Sequence, residues 1–169
     1  MINEKLQQAF SKQINYELYS EYLYLIMRDF FKEMNLEGFA NWFDVQVQEE
    51  RAHAMGLINY IHARGGKVEY LPIELPKSEG KTPIEIFEQV LYHEEFVTSK
   101  INELFDVAQE TKDRAAQQFL NWYINEQVEE EENVNNVLTT LKLIDNDKYA
   151  LLMYDKELAA RTFQAPVIG

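Results

Sequence analysis

Residues 65 to 82 break a chain that otherwise reads as helix from end to end. Gly65, Gly66, Pro72, Pro76 and Gly80 punctuate the stretch, and Val68-Glu69-Tyr70-Leu71 reads as extended. Irregular connections beyond about 12–15 residues are uncommon in compact domains, so a segment this long needs a structural reason. Fully extended it reaches ~55–60 Å, whereas a helix of about 28 residues is only ~42 Å long. It can therefore traverse a whole bundle. The topology this allows is narrow: two long helices, a crossover, then two more.

The flanking sequence supplies those helices. Between about Asn3 and Glu33 there is no proline or glycine, and Leu6, Phe10, Ile14, Glu17, Tyr24 and Phe31 fall on one side at helical spacing. A turn at Met34-Asn35-Leu36-Glu37-Gly38 leads to a second helix with Phe39, Phe43, Val47, Glu50, Ala54, Leu57 and Ile61 on its inner stripe. Gly65-Gly66 reads as its stop. The turn is short, so the two helices must be antiparallel neighbours. Beyond the crossover, Thr82 reads as an N-cap, Pro83 as the first helical residue and Glu85 as the partner in a capping box. The third helix runs from Pro83 to about Glu110 with Phe87, Leu91, Glu94, Val97, Ile101, Leu104 and Ala108 inward. After Thr111-Lys112-Asp113 a fourth continues to roughly Leu143, with Ala116, Leu120, Tyr123, Gln127, Glu130, Val134, Val137 and Leu141 inward. A break at Asp145-Asn146-Asp147 precedes a shorter fifth helix, about Lys148 to Arg161, and a polar tail over 162–169. The expected fold is all-α, a four-helix bundle over about 3–143 with a long crossover between helices 2 and 3 and a short fifth helix, forming one domain over 1–169.

Composition narrows the function. With 46% hydrophobic content, 169 residues can bury a substantial core as one domain. There is no cysteine, so disulfides and thiolate metal sites are excluded and a reducing compartment is the easier home. A net charge of −13 argues against nucleic acid as a partner and for solubility or attraction of cations. The longest apolar run, Tyr22 to Met27, falls far short of the ~20 residues of a membrane span. A soluble cytoplasmic protein with no membrane partner is expected.

Chemistry enters where acids interrupt the apolar stripes. Glu50 and His53, three residues apart on the second helix, share its inward face. Glu17, Glu94, and the pair Gln127 and Glu130 interrupt the other three stripes. Measured from the helix starts, Glu17, Glu50 and Gln127 lie about 13–14 residues in and Glu94 about eleven, so in aligned helices all meet near one level. A single glutamate on a helix is usually solvated, but four at matched heights in a dry centre would repel severely without cations. Two divalent metals bridged by a carboxylate resolve the conflict. Oxygen-rich ligands with a single imidazole suit iron or manganese better than zinc.

These residues resemble the prokaryotic non-haem ferritins, and the resemblance covers nearly the whole chain. It is carried by Asn15-Tyr16-Glu17 with Tyr24 two turns on, Glu49-Glu50-Arg51-Ala52-His53, His93-Glu94-Glu95-Phe96, and Phe119-Leu120-Asn121-Trp122-Tyr123 leading to Glu126-Gln127-Val128-Glu129-Glu130-Glu131. Ferritin-like di-iron bundles are a known architecture in which inward Glu and Glu-x-x-His residues hold the metals. Bacterioferritins and rubrerythrins carry a second Glu-x-x-His on the fourth helix, where this chain has Gln127-Val128-Glu129-Glu130, as in ferritins proper. Bacterioferritins place a haem-ligating methionine directly after the second-helix glutamate; here that residue is Arg51, so no haem is expected. Miniature ferritins that protect DNA lack the C-terminal fifth helix.

The resemblance implies that Glu17, Glu50 and His53 hold a first iron and Glu50, Glu94 and Glu130 a second, with Gln127 close enough to ligate or hydrogen-bond. A third iron site maps onto Glu49, Glu126, Glu129 and Glu130. Tyr24 resembles the family tyrosine beside the di-iron centre, with Trp122 nearby, and either ring could supply an electron. The implied activity is ferroxidase, oxidation of Fe²⁺ by O₂, with storage of Fe³⁺ as ferric oxyhydroxide in a homo-oligomeric shell of 24 subunits whose fifth helix packs around a fourfold axis. His62 and His93 read as structural, and Glu131 and Glu132 as solvent-facing. The start of the fourth helix, with Arg114, Gln117, Gln118 and Asn121, offers no obvious carboxylate ring for a threefold channel. Two other functions stay open at this point: a redox enzyme on the same core, such as a peroxide reductase or oxygenase, and a metal-buffering shell without turnover. Neither Gly-x-Ser-x-Gly, Gly-x-Gly-x-x-Gly nor a P-loop occurs.

Overall fold

The computed structural model describes residues 1–168 as five helices with no strand among them. They are α1 (Glu4–Glu33), α2 (Glu37–Ala63), α3 (Pro83–Glu110), α4 (Arg114–Ile144) and α5 (Lys148–Leu158). Four of the five starts carry a side-chain cap. Asn3 accepts from the Lys5 N–H, Thr82 from Glu85, Asp113 from Ala116, and Asp147 from Tyr149 and Ala150. Glu85 does reach back, but to the N–H of Lys81 at 2.7 Å, one residue before the expected capping-box partner. Gly65 takes the left-handed backbone, φ 69°, that stops α2. The fifth helix ends at Leu158, three residues earlier than its periodicity suggests, in a turn at Ala159 and Ala160.

α1 packs along α2, and α3 along α4, while α1 also faces α3. The crossover runs beside α1. Gln7, Ser11 and Asn15, spaced one turn apart on α1, hold it in sequence: Gln7 Oε1 accepts from Lys67 N at 2.9 Å, Ser11 Oγ from Glu69 N at 3.1 Å, and Asn15 Nδ2 donates to the Pro72 carbonyl at 3.1 Å. An extended backbone climbs about 3.3 Å per residue against 1.5 Å for the helix beside it, so about two crossover residues pass each turn of α1. Gln89 then takes over on α3, donating to the Lys77 carbonyl at 2.7 Å. α3 consequently starts at the far end and runs back parallel to α2.

Two apolar clusters fill the bundle. One, near the α5 end, contains Met27, Phe31, Phe39, Phe43, Phe87, Val134 and Leu141. The other, near the crossover's start, contains Leu6, Phe10, Ile14, Ile61, Ile101, Leu104 and Leu120. Between them lies a buried polar layer of Glu17, Gln46, Glu50, His53, Glu94, Gln127 and Glu130, none more than 5% exposed. α5 packs against α2, its Leu151, Tyr154 and Leu158 half-buried on the first cluster and its Tyr149, Leu152 and Met153 exposed. No described helix is long and apolar enough to cross a membrane.

Candidate metal centre

The polar layer is built by helical periodicity. On α1, Phe10, Gln13 and Glu17 follow one another at spacings of three and four, and Gln13 Nε2 donates to Glu17 Oε1 at 2.8 Å. On α2, Gln46, Glu50 and His53 do the same. Glu17, Glu50 and His53 bring three ligand atoms within 4.8 Å of one another, and His53, Glu126 and Glu130 form a second such group. His53 is shared: Nδ1 lies 3.7 Å from Glu50 Oε2 and 3.9 Å from Glu17 Oε2, and Nε2 lies 3.6 Å from Glu126 Oε1. These separations are too long for hydrogen bonds. Glu17 Oε2 and His53 Nε2 are in fact buried with no hydrogen-bond partner among the described residues. A buried polar atom left unpaired costs about 1–3 kcal/mol, and here two of them point into one acid-lined space, as cation ligands would.

The second half of the layer is better satisfied. Tyr24, fully buried, donates its phenol O–H to Glu94 Oε1, and Gln127 Nε2 donates to Glu94 Oε2 at 3.1 Å. Gln46 Nε2 donates to Glu130 Oε2 at 3.0 Å. Burial nonetheless pushes the Glu94 carboxyl up to about 7, against the two hydrogen bonds it accepts, and pushes Glu130 up to about 8 with the Glu94 charge adding to it. Glu50 is raised well above the ordinary range, again by burial. Burial opposes a charge on His53, yet the carboxylates of Glu126, Glu50 and Glu17 outweigh it and hold the imidazole well above its usual value. At neutral pH, then, the layer retains protons that incoming cations would displace.

A chain of five helices in this topology, with a layer of this composition, has named counterparts. Residues 7–144 match the family Ferritin, described as a Ferritin-like domain. The chain belongs to the ferritin family. This ferritin is 39% identical over 163 residues to a "Bacterial non-heme ferritin" of Staphylococcus saprophyticus, covering 96% of this chain and 98% of that one, and 38% identical to the protein of that name in Staphylococcus haemolyticus. Among solved structures it is similar to a "Humanized Archaeal ferritin", with 46% identity, TM-score 0.95, and coverage of 97% and 99%. It is likewise similar to a "novel open pore ferritin" from the archaeon Archaeoglobus fulgidus, with 46% identity, TM-score 0.94, and coverage of 96% and 100%. The ferritin four-helix bundle with a short C-terminal helix is thereby established. Iron storage and ferroxidase chemistry are the family's general work, and this ferritin has carboxylate and histidine groups that could hold metal.

The residues singled out in the sequence divide into three sets. Glu17, Glu50, His53, Glu126 and Glu130 converge around the imidazole. Glu94, Gln127 and Tyr24 form the hydrogen-bonded flank just described. Glu49 and Glu129 lie outside both groups: Glu129 is exposed, and Glu49 pairs with Arg161, whose guanidinium lies 2.7 Å from its Oε2. Trp122 stands edge-on to His53 with ring centroids 5.5 Å apart, and Tyr123 donates to the His53 main-chain carbonyl at 2.8 Å. Arg51 makes a two-pronged ion pair with Glu21. His93 is buried, bonded through Nε2 to Ser20 at 2.8 Å, and desolvation lowers it to about 4, in keeping with a neutral structural role.

Sequence reasoning missed three residues of this ferritin's site. Gln13 and Gln46 each stand four residues before a stripe glutamate, and a polar residue one turn from a buried acid was a readable sign. The α2 stripe is buried as the periodicity predicts except at one position, where Gln46 is fully buried and Val47 only partly so. Arg161 lies beyond the last helix and carried no such sign.

Proposed function

We propose that this chain is an iron-storage ferroxidase, taking Fe²⁺ as its substrate at the buried carboxylate layer. The reading rests above all on the two orphaned atoms, Glu17 Oε2 and His53 Nε2, buried in a space ringed by acids. Glu17, Glu50 and His53 would hold one iron, and Glu50, Glu94 and Glu130 another, with Gln127 at hydrogen-bonding range of Glu94. Two Fe²⁺ give one electron each, and O₂ accepts both with two protons and leaves as hydrogen peroxide. Exchangeable coordination positions permit that reactivity. The chain's own contribution is to gather charge. Glu94 and Glu130, raised to about 7 and about 8, release protons as cations bind, and Tyr24 keeps Glu94 oriented through its phenol. Tyr123 ties α4 to the α2 backbone at His53 by donating to the His53 main-chain carbonyl.

The Fe³⁺ formed moves on to a ferric oxyhydroxide store inside a hollow shell of 24 copies in the cytoplasm. Support for assembly comes from α5, whose Tyr149, Leu152 and Met153 are exposed on a helix of only 11 residues, and from relatives that are named ferritins. Aerobic addition of Fe²⁺ with optical and light-scattering detection tests the whole. Rapid oxidation, growth of the broad ferric absorbance and a particle far heavier than 20.0 kDa are expected. A monomer that oxidises iron no faster than buffer would overturn it.

A further inference from the structure

The C-terminal arm places a cation beside the metal centre. Arg161 follows the turn that ends α5, and Asn41 of α2 pins this segment by donating to the carbonyls of Leu158 at 3.2 Å and Arg161 at 2.9 Å. The guanidinium carbon lies 4.8 Å from the centroid of the Trp42 ring, a cation–π distance. One nitrogen donates to the Trp42 carbonyl at 3.1 Å, and another to both Gln46 Oε1 at 2.6 Å and Glu49 Oε2 at 2.7 Å. Three of the five N–H donors of the rigid guanidinium fork thus meet three acceptors of one helix.

These contacts reach inward. An amide oxygen only accepts and an amide nitrogen only donates. With its oxygen taken by Arg161, Gln46 must turn its nitrogen the other way, and that nitrogen donates to Glu130 Oε2 at 3.0 Å. Glu49 is one helical turn before His53, whose Nε2 faces Glu126 and Glu130 without a hydrogen-bond partner. Glu49 is therefore the acid next in line to join that group, and it is held by a positive charge instead.

We propose that Arg161 is a resident counter-cation that competes with metal for Glu49, so that the centre takes two cations tightly and a third only when the arm's guanidinium is displaced. The inference rests on the reading of the layer as a cation site. A divalent ion on either oxygen of Glu49 would face a like charge already bonded to that carboxylate. Arg161 is thus a positioning residue that acts through Glu49 and Gln46, and it sets the capacity of the centre.

Anaerobic calorimetric titration with Zn²⁺ alone, a redox-silent probe, tests this over the first three equivalents per subunit. Arg161→Gln and Arg161→Met, the latter keeping an apolar stem over Trp42, should bind the third equivalent at least tenfold tighter than the unaltered protein, with the first two unchanged. Arg161→Lys should restore most of the restraint. Adding Glu49→Gln to either variant should abolish the gain, since the acid in dispute is gone. A third equivalent that binds no tighter in both Arg161→Gln and Arg161→Met, at unchanged helix content, would overturn the role of Arg161 while leaving two-cation binding standing. Failure of the unaltered protein to bind even two equivalents would bring down the cation-site reading, and this inference with it.

Discussion

Asp155 of α5 caps α2: its Oδ1 accepts the backbone N–H of Gly38 at 2.8 Å and that of Phe39 at 2.9 Å. The first N–H groups of a helix have no partner inside it, and here the partner arrives from 117 residues away. Leu36, the residue in the N-cap position, makes no side-chain cap. The helix that carries Glu50 and His53 therefore starts properly only when α5 is docked. Asp155→Ala should lower stability by about 1–2 kcal/mol, the usual cost of a lost N-cap, as read by calorimetry. Gly38→Ala should do more, because its Cβ would fall 1.5 Å from the Asp155 carbonyl oxygen and the backbones cannot both stay in place.

His53→Ala removes the one imidazole of the layer. The rapid phase of oxidation at two Fe²⁺ per subunit should slow sharply while circular dichroism keeps its helical signal, since the imidazole accepts or donates no hydrogen bond that the fold needs. Stopped-flow absorbance reads the first and an unaltered rapid phase would remove His53 from the centre.

Gly56 leaves room for the Tyr123 hydroxyl, to which a Cβ at position 56 would come within 2.5 Å, and for Ile168 Cδ1 at 2.8 Å. Gly56→Ala should therefore dislodge the phenol from the His53 carbonyl and cost about 1–3 kcal/mol through overpacking. Tyr123→Phe removes only one hydrogen bond and should cost about 1 kcal/mol. Urea unfolding of the two variants should rank them in that order.

The metal-free protein should lose stability as pH rises from about 4.5 toward 8. Glu94 and Glu130 stand near 4.5 when unperturbed and are raised in the fold to about 7 and about 8, mainly by burial. Groups raised on folding stabilise fully below the unperturbed value, and that contribution is lost as pH climbs through the folded values, with no further loss above. Glu130→Gln should flatten the profile and raise the thermal midpoint at pH 8 in chelator, by an amount corresponding to about 1–3 kcal/mol, while weakening binding of the second cation. Leucine at position 94 is a poorer probe, since it would strand the donors of Tyr24 and Gln127 that now meet Glu94; Glu94→Gln keeps an acceptor for the phenol. A rise in apo stability with pH would reverse the assignment.

The helices, the stop at Gly65 and the inward acids were legible because each obeys a local rule. Periodicity shows which side of a helix is buried, and a Pro, Gly or cap shows where it ends. The four acids expected to form a third iron site were the least legible part: Glu49, Glu126, Glu129 and Glu130 look equivalent as a pattern, yet Glu126 and Glu130 turn to His53, Glu49 to Arg161, and Glu129 to solvent. What separates them is the path of the chain after α5, a tertiary fact that no spacing within α2 or α4 encodes. The same holds for Asp155 on Gly38. The crossover's length was readable, but its track along Gln7, Ser11 and Asn15 depends on side chains that look like ordinary surface residues of α1.

The apolar core is divided, with the aromatic set of Phe31, Phe43 and Phe87 on one side of the polar layer and the set of Phe10, Ile61 and Leu104 on the other. Each set draws on α1, α2, α3 and α4, so every long helix is gripped at two separate heights. A rod held at two points can neither slide past its neighbours nor pivot about one of them. The space between the grips is framed by packing that lies outside it. For a subunit of this build, the spacing of the helices around the polar layer is set by the packing above and below it and owes nothing to what the layer holds.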